Sequence, residues 1–208
     1  MKRLAVFFKA IAAGIMISIG GAVYLSCDNK YVGAVGFCVG LISVVMLGME
    51  LYTGKIGYIP TEPVSYWFDT VISVFGNLVG CAIIGFILPA SDKAVAACAA
   101  RLTKLVPRTL ADAALCGLLI YVCVEIWKRH KNVVGVLFCV PAFILCGFEH
   151  SVADMFYFIN ARSFSLESIL FVAVVVVGNG VGAVLTHLLL KGAEKIAEKG
   201  KKGADNNV

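Results

Sequence analysis

The chain alternates between long apolar runs and short segments rich in charge, proline or asparagine. Residues 10–27, 70–91 and 168–190 contain no Asp, Glu, Lys or Arg. Each run has about the 18–25 residues that a helix needs to cross a hydrocarbon core roughly 30 Å thick. The pattern therefore predicts membrane-spanning helices.

Six such spans are predicted once the polar interruptions are used as boundaries. We expect an all-α membrane protein with one transmembrane domain over residues 1–190, followed by a basic, solvated tail over residues 191–208 that extends the last span. The repeat halves cover about residues 9–90 and 109–190. The expected spans are residues 9–27, 31–49, 67–89, 109–127, 132–148 and 167–190.

Composition and charge agree with this reading. Apolar residues make up 60% of the chain, charged residues 15%, and the mean hydropathy is +0.92, whereas a soluble domain carries about 25% charged residues. With both termini inside, twelve of the 18 Lys and Arg residues lie on the inner side and six on the outer. The positive-inside rule then predicts cytoplasmic termini. The net charge of +5 reflects this topology, and no nucleic-acid partner is expected.

The two halves of the chain share an internal repeat. Glu50 closes the second span and Glu149 the fifth, 99 positions later, and Asn77 and Asn179 lie 102 positions apart in spans 3 and 6. Since each half has three spans, the halves run in opposite directions across the bilayer. Interrupted spans at matching positions of an inverted repeat indicate a transport site.

The repeated polar residues allow more than one role. We expect Asn77 and Asn179 to anchor the unwound backbone, with direct ligand contact as the alternative. Glu50 and Glu149 are expected to hold backbone N–H groups at the breaks rather than to form a catalytic pair or, with His150, a metal site. Most of the eight cysteines lie inside apolar spans without a Cys-x-x-Cys spacing, so they are expected to pack rather than bind metal.

At this point the sequence resembles the formate/nitrite transporter family of pentameric anion channels. The resemblance covers about residues 9–190, and four stretches carry it: ELYTG at 50–54, GNLVG at 76–80, GFEHSVADMF at 147–156 and GNGVG at 178–182. It implies an aquaporin-like protomer with its own pore, a homopentamer and a bacterial inner (plasma) membrane. It also implies that Thr53 and His150 meet at mid-membrane, between apolar constrictions formed by Phe37, Leu41, Leu51 and Phe143.

The sequence departs from the family pattern at three places. Gly117 stands where the family usually has a pore-side Asn, and Asp154 stands where an Asn is common. The basic residue expected before span 4 is Arg101 or Lys104. These two residues are expected in a vestibule that concentrates anions, with an ordinary solvated loop as the alternative.

His150 is interpreted as the one histidine at membrane depth, where ionisable groups are usually functional. An ordinary imidazole titrates near pH 6.5, so we expect a channel or transporter for small anions of weak acids (formate, nitrite, hydrosulfide or similar) that is proton-linked through this side chain. The alternatives are a neutral small-solute channel and, with less support, a membrane-embedded enzyme. No cofactor is expected.

Overall fold

The computed structural model describes residues 1–205, and these residues are helical almost throughout, without strands. A 3-10 segment at Ile56–Thr61 separates α3 from α4. The α-helices in chain order are α1 (Lys2–Ser26), α2 (Lys30–Met46), α3 (Tyr52–Lys55), α4 (Val64–Ile87), α5 (Asp92–Leu102), α6 (Val106–His130), α7 (Val134–Cys146), α8 (Ser151–Asn160) and α9 (Leu166–Asp205).

Four of these helices, α1, α4, α6 and α9, are long and apolar enough to cross a membrane. A fifth span is formed by α7 and α8, which together pass the same test and are bent by 57° at the residues between them. The remaining predicted span corresponds to α2, an apolar helix of 17 residues. This architecture is that of an integral membrane protein, and it is consistent with six spans in two inverted halves.

The two interrupted spans break in the same way. Gly48 and Gly147 both have positive φ angles, 61° and 70°, which glycine adopts without the steric penalty that a Cβ imposes. The N–H after each glycine donates to the carbonyl five residues earlier, from Met49 to Val44 at 3.0 Å and from Phe148 to Phe143 at 2.9 Å. This bond closes the helix end. The half-helices therefore stop at residues 46 and 146, earlier than the expected 49 and 148.

The helix pairs α1–α4 and α6–α9 pack by the same contacts. A Cβ added at Gly14 would lie 2.2 Å from the Asn77 carbonyl oxygen, and one added at Gly117 would lie 2.1 Å from the Asn179 carbonyl oxygen. The interpretation of Gly117 as a changed pore-side polar group is therefore wrong. The position has to be glycine because α6 and α9 touch there through their backbones.

The structure adds one helix that the pattern did not predict and shows how far the tail is helical. The connection between the halves contains a separate helix, α5, which packs against α8 and α9. In addition, α9 continues as helix beyond the expected end of span 6 to Asp205. The basic tail thus extends the last helix, and its final residues, 206–208, lie outside the described part of the chain.

Candidate functional site

The two helix breaks bring a threonine and a histidine together in the protein interior. Thr53 lies in the first turn of α3, and His150 is the N-cap residue of α8. Thr53 Oγ1 and His150 Nε2 are 2.9 Å apart, and both residues are buried. A hydroxyl and an imidazole that meet inside an apolar bundle provide polar groups that could contact a small solute.

The backbone fixes which nitrogen of His150 carries the proton. The Ala153 N–H donates to His150 Nδ1 at 3.1 Å, so Nδ1 must be an unprotonated acceptor. The neutral imidazole then has its hydrogen on Nε2 and donates it to Thr53 Oγ1. Placing a second proton on Nδ1 would require this N-cap hydrogen bond to break. In its resting form His150 is therefore a hydrogen-bond donor towards Thr53.

Apolar side chains enclose this pair. The Phe143 ring stacks on the His150 imidazole with centroids 5.6 Å apart, and it meets Phe37 edge-on at 5.9 Å. Leu41 and Leu51 are buried as well, and they line a cavity of about 270 Å³ beside Glu50, Lys55 and the C-terminal end of α6. We call this cavity the α6-end cavity. All four residues expected at constrictions thus lie in the interior, with Phe143 in direct contact with His150.

Asn77 and Asn179 hold the breaks through three hydrogen bonds each, and the two sets match. The Tyr52 N–H donates to Asn77 Oδ1 and the Ser151 N–H donates to Asn179 Oδ1, both at 2.9 Å. The Asn77 side-chain NH₂ donates to the Glu50 carbonyl oxygen at 3.0 Å, and the Asn179 NH₂ donates to the Glu149 carbonyl oxygen at 2.8 Å. The third bond reaches the first helix of the same half, at the carbonyl of Ala10 or Ala113.

The prediction that the glutamate carboxylates hold backbone N–H groups is wrong. Glu50 accepts from Lys55, and Glu149 accepts from Lys104 and Arg101. The reason is that the asparagine amides already satisfy the backbone at both breaks, and a buried carboxylate is stabilised better by a cation than by a neutral donor. The glutamates anchor the breaks through their carbonyl oxygens, while their carboxylates form ion pairs.

The Glu149 carboxylate belongs to a larger set of ion pairs at the N-terminal end of α6, which we call the acid–base cluster. Arg101 Nε lies 2.9 Å from Glu149 Oε2 and 3.0 Å from Asp154 Oδ1. Lys104 Nζ contacts Glu149 Oε1 at 2.6 Å and Asp112 Oδ2 at 2.9 Å. The cluster comprises Arg101, Lys104, Arg108, Asp112, Glu149 and Asp154.

This arrangement differs from the expected basic vestibule. Arg101 and Lys104 both belong to this cluster, and their charges are paired with carboxylates rather than free. Desolvation disfavours the charged form of Lys104, yet the hydrogen bonds that it donates to Glu149 and Asp112 outweigh this effect and raise the pKa of the ammonium group. Lys104 therefore stays charged at neutral pH as a partner of the carboxylates. The pairing between α5, α6 and α8 could not be found from sequence spacing.

A second histidine besides His150 is buried in the protein. His187 in α9 is fully buried. Its Nδ1 lies 3.0 Å from the Tyr121 hydroxyl and its Nε2 lies 3.0 Å from Thr61 Oγ1. These contacts fasten the 3-10 segment after α3 to α6 and α9. His187 lies within an apolar run, but its burial depends on a segment more than a hundred positions away.

No group of three or more His, Cys, Asp or Glu side chains in the described part of the chain could hold a metal ion. The eight cysteines are free thiols.

The comparisons with known proteins agree with this geometry. A family model described as "Formate/nitrite transporter" matches residues 1–193. The formate channel FocA of Escherichia coli (strain K12) is 26% identical in an alignment covering 74% of this chain and 65% of that protein, so the chain spans slightly less than two thirds of that relative's length.

Two solved structures share the fold. "Pentameric formate channel with formate bound" has a TM-score of 0.72 at 22% identity, covering 95% of this chain and 98% of that chain. "FNT family ion channel" has a TM-score of 0.75 at 22% identity, covering 92% of this chain and 89% of that chain. These relatives are channels rather than enzymes. With a family model that matches nearly all of its transmembrane region, this chain belongs to the formate/nitrite transporter family.

Proposed function

We propose that this chain forms a membrane channel or transporter for small monovalent anions of weak acids, such as formate, nitrite or hydrosulfide. The observation that carries the proposal is the contact between Thr53 and His150, a polar pair at two helix breaks that is enclosed by apolar side chains. A bare anion meets a large desolvation cost in such surroundings. A site with a hydrogen-bond donor between apolar constrictions favours a weak-acid anion, because such a solute can take up a proton and cross the constrictions as a neutral molecule.

The proposed mechanism links passage to a proton. The Nε2–H of His150 hydrogen-bonds the anion in place of Thr53 Oγ1, which lowers the cost of bringing a negative charge to this depth. The Nε2 proton passes to the anion, His150 regains a proton from water on the entry side, and the solute leaves through the apolar constriction as the neutral acid. Phe143 and Phe37 limit the size of the solute, because Phe143 stacks on the histidine and Phe37 meets the Phe143 ring edge-on. Formate-sized species are therefore favoured over larger carboxylates.

A second candidate function is a channel for small neutral solutes. The pairing of Arg101 and Lys104 with carboxylates supports it, because the acid–base cluster then lacks the free positive charge that would concentrate anions. Uncharged solutes need no such charge.

The assembly and orientation of the chain are also proposals. We infer a homopentamer with a separate pore in each protomer, by likeness to the pentameric formate channel. The bilayer of a bacterial inner membrane surrounds residues 1–190 as a single channel domain. Both termini lie in the cytoplasm, including the basic tail at residues 191–208.

The test is a panel of uptake measurements with the purified chain as the sole protein in liposomes. Formate, nitrite and hydrosulfide should enter faster than lactate, and more so as external pH falls. Faster uptake of an uncharged solute such as urea, with no pH dependence and no anion uptake, would favour the second candidate and reject the first.

A further inference from the structure

The acid–base cluster contains a carboxyl group that the ion pairing leaves incomplete. Both oxygens of Glu149 have cationic partners, and so do both oxygens of Asp112. Asp154 differs, because Arg101 contacts its Oδ1 while its Oδ2 is buried and has no hydrogen-bond partner among the described residues. Three residues earlier on α8, Ser151 Oγ is in the same condition. Ionised carboxylates are seldom left in this state, since an unpaired buried charge is costly.

The charges of the cluster do not balance where it is enclosed. The two enclosed cations are Arg101 and Lys104, whose side chains are 20% and 26% exposed. They face three carboxylates that are at most 2% exposed. The third cation, Arg108, is 67% exposed and contacts Asp112 alone, so solvent screens most of its effect. The enclosed part therefore has one carboxylate too many.

One bound proton removes this excess. When carboxylates share a site, one of them keeps a proton because like charges disfavour the ionised form. Asp154 is the carboxylate with an unpartnered oxygen, and a proton on Oδ2 leaves that buried oxygen uncharged. The other titratable or charged groups around α8 are Arg101, Lys104, Glu149, His150, Tyr157, Cys81, Cys98 and Cys116.

We propose that Asp154 is a proton-holding side chain that sets the charge of the mouth at the acid–base cluster. With the proton bound, the enclosed cluster is neutral. When the proton leaves, the enclosed part of the cluster has a net negative charge and disfavours the approach of anions. The effect on anion entry rests on the proposed function, whereas the bound proton does not. Asp154 acts here through the field at the mouth and is a positioning residue rather than one that touches the solute.

Infrared spectroscopy of the purified full-length protein in detergent tests the proton directly. The wild type should show a carboxylic acid C=O band at pH 7 that moves on labelling with ¹³C-carboxyl aspartate, so the result does not depend on any variant folding. Asp154→Asn should lack the band. In Asp112→Asn the two enclosed cations face only two carboxylates. Because the excess negative charge that favours the proton is gone, the band should vanish at a lower pH than in wild type. Absence of an aspartate band at pH 7, or a band that persists in Asp154→Asn, would overturn the proposal.

Formate uptake into liposomes tests the consequence. The wild-type carboxylic acid band disappears at a certain pH. Above that pH, Asp154→Asn should take up formate about tenfold faster than wild type, as expected for removing one repelling charge from an entrance. Below that pH the two should agree. Equal rates at every pH would overturn the role of Asp154 at the mouth. A wild type that takes up no formate, yet shows the band, would reject the proposed function and leave the proton assignment standing.

Discussion

Thr53 Oγ1 and His150 Nε2 lie 2.9 Å apart although 97 positions separate the two residues in the chain. Each residue is placed by a helix break that begins with a positive-φ glycine, Gly48 or Gly147. Each break is then held by the side-chain amide of an asparagine from another helix. The polar pair in the interior is therefore a product of the internal repeat, with one partner supplied by each half.

The matched asparagines should contribute similarly to stability. Asn179→Ala removes three buried hydrogen bonds and leaves the Ser151 N–H unpaired, at about 1–3 kcal/mol for each unsatisfied buried group. Asn77→Ala removes the equivalent set. Thermal unfolding in detergent should show a lower midpoint for both variants. If one variant unfolded like wild type, the two breaks would not be equivalent.

The two glutamates should differ, even though they occupy matching positions. Glu149→Gln leaves Arg101 and Lys104 short of a partner in an enclosed site, whereas Glu50→Gln frees one lysine beside the open α6-end cavity. Glu149 is 2% exposed and pairs with two cations, whereas Glu50 is 25% exposed and pairs with one. Breaking an enclosed ion pair costs about 3–5 kcal/mol, and the cost falls as solvent reaches the charge. The yield of assembled protein after size-exclusion chromatography should fall clearly for Glu149→Gln and little for Glu50→Gln. The reverse order would contradict this account of the cluster.

Gly117 should tolerate no side chain. Alanine there puts a Cβ against the Asn179 carbonyl oxygen and must push α6 away from α9, and such overpacking costs about 1–3 kcal/mol. Gly192→Ala is the control, because that glycine lies in α9 with open space around it. The midpoint of thermal unfolding should fall for Gly117→Ala and stay the same or rise for Gly192→Ala. A stable Gly117→Ala variant would mean that the helices do not touch at this point.

Phe143 should limit solute size. Phe143→Ala removes the ring that stacks on His150 and leaves room next to it, so uptake of formate should rise severalfold and lactate should gain relatively more. The matched control is Phe138→Ala on the same helix, whose side chain is 73% exposed on the outer surface. Liposome uptake of both acids gives the ratio. Identical selectivity in wild type and Phe143→Ala would place the constriction elsewhere.

Much of the fold could be predicted from the sequence because it depends on local patterns. The length of the apolar runs gives the spans, and the repeated Gly-x-Glu and Gly-Asn motifs give the breaks. The helix ends were placed two or three residues late, since the reversal starts at the glycine rather than at the residue before the glutamate. α5 was missed because its amphipathic stretch is short and lies between two spans.

The side-chain partners were harder to predict, and the errors share a physical cause. An isolated glutamate at a helix break suggests a bond to free backbone N–H groups, but the asparagine amides from distant helices already occupy them. Similarly, nothing in the sequence around Asp112 or Asp154 indicates that they belong to the same set of ion pairs. They join one cluster only because their positions on α6 and α8 come close together in the fold. The burial of His187 could not be predicted either, since its partners Tyr121 and Thr61 come from other elements.

The central claim is that a small anion passes His150 with the help of a proton, and the most direct measurement is formate uptake against external pH in protein-only liposomes. His150→Asn keeps a residue suited to cap α8 but cannot titrate. The comparison is also made in the Asp154→Asn background, so that titration of Asp154 cannot account for any difference between the two curves. The account predicts that uptake rises as external pH falls, and that His150→Asn flattens or shifts this rise while the oligomer stays intact. Superimposable curves with and without His150 would contradict it.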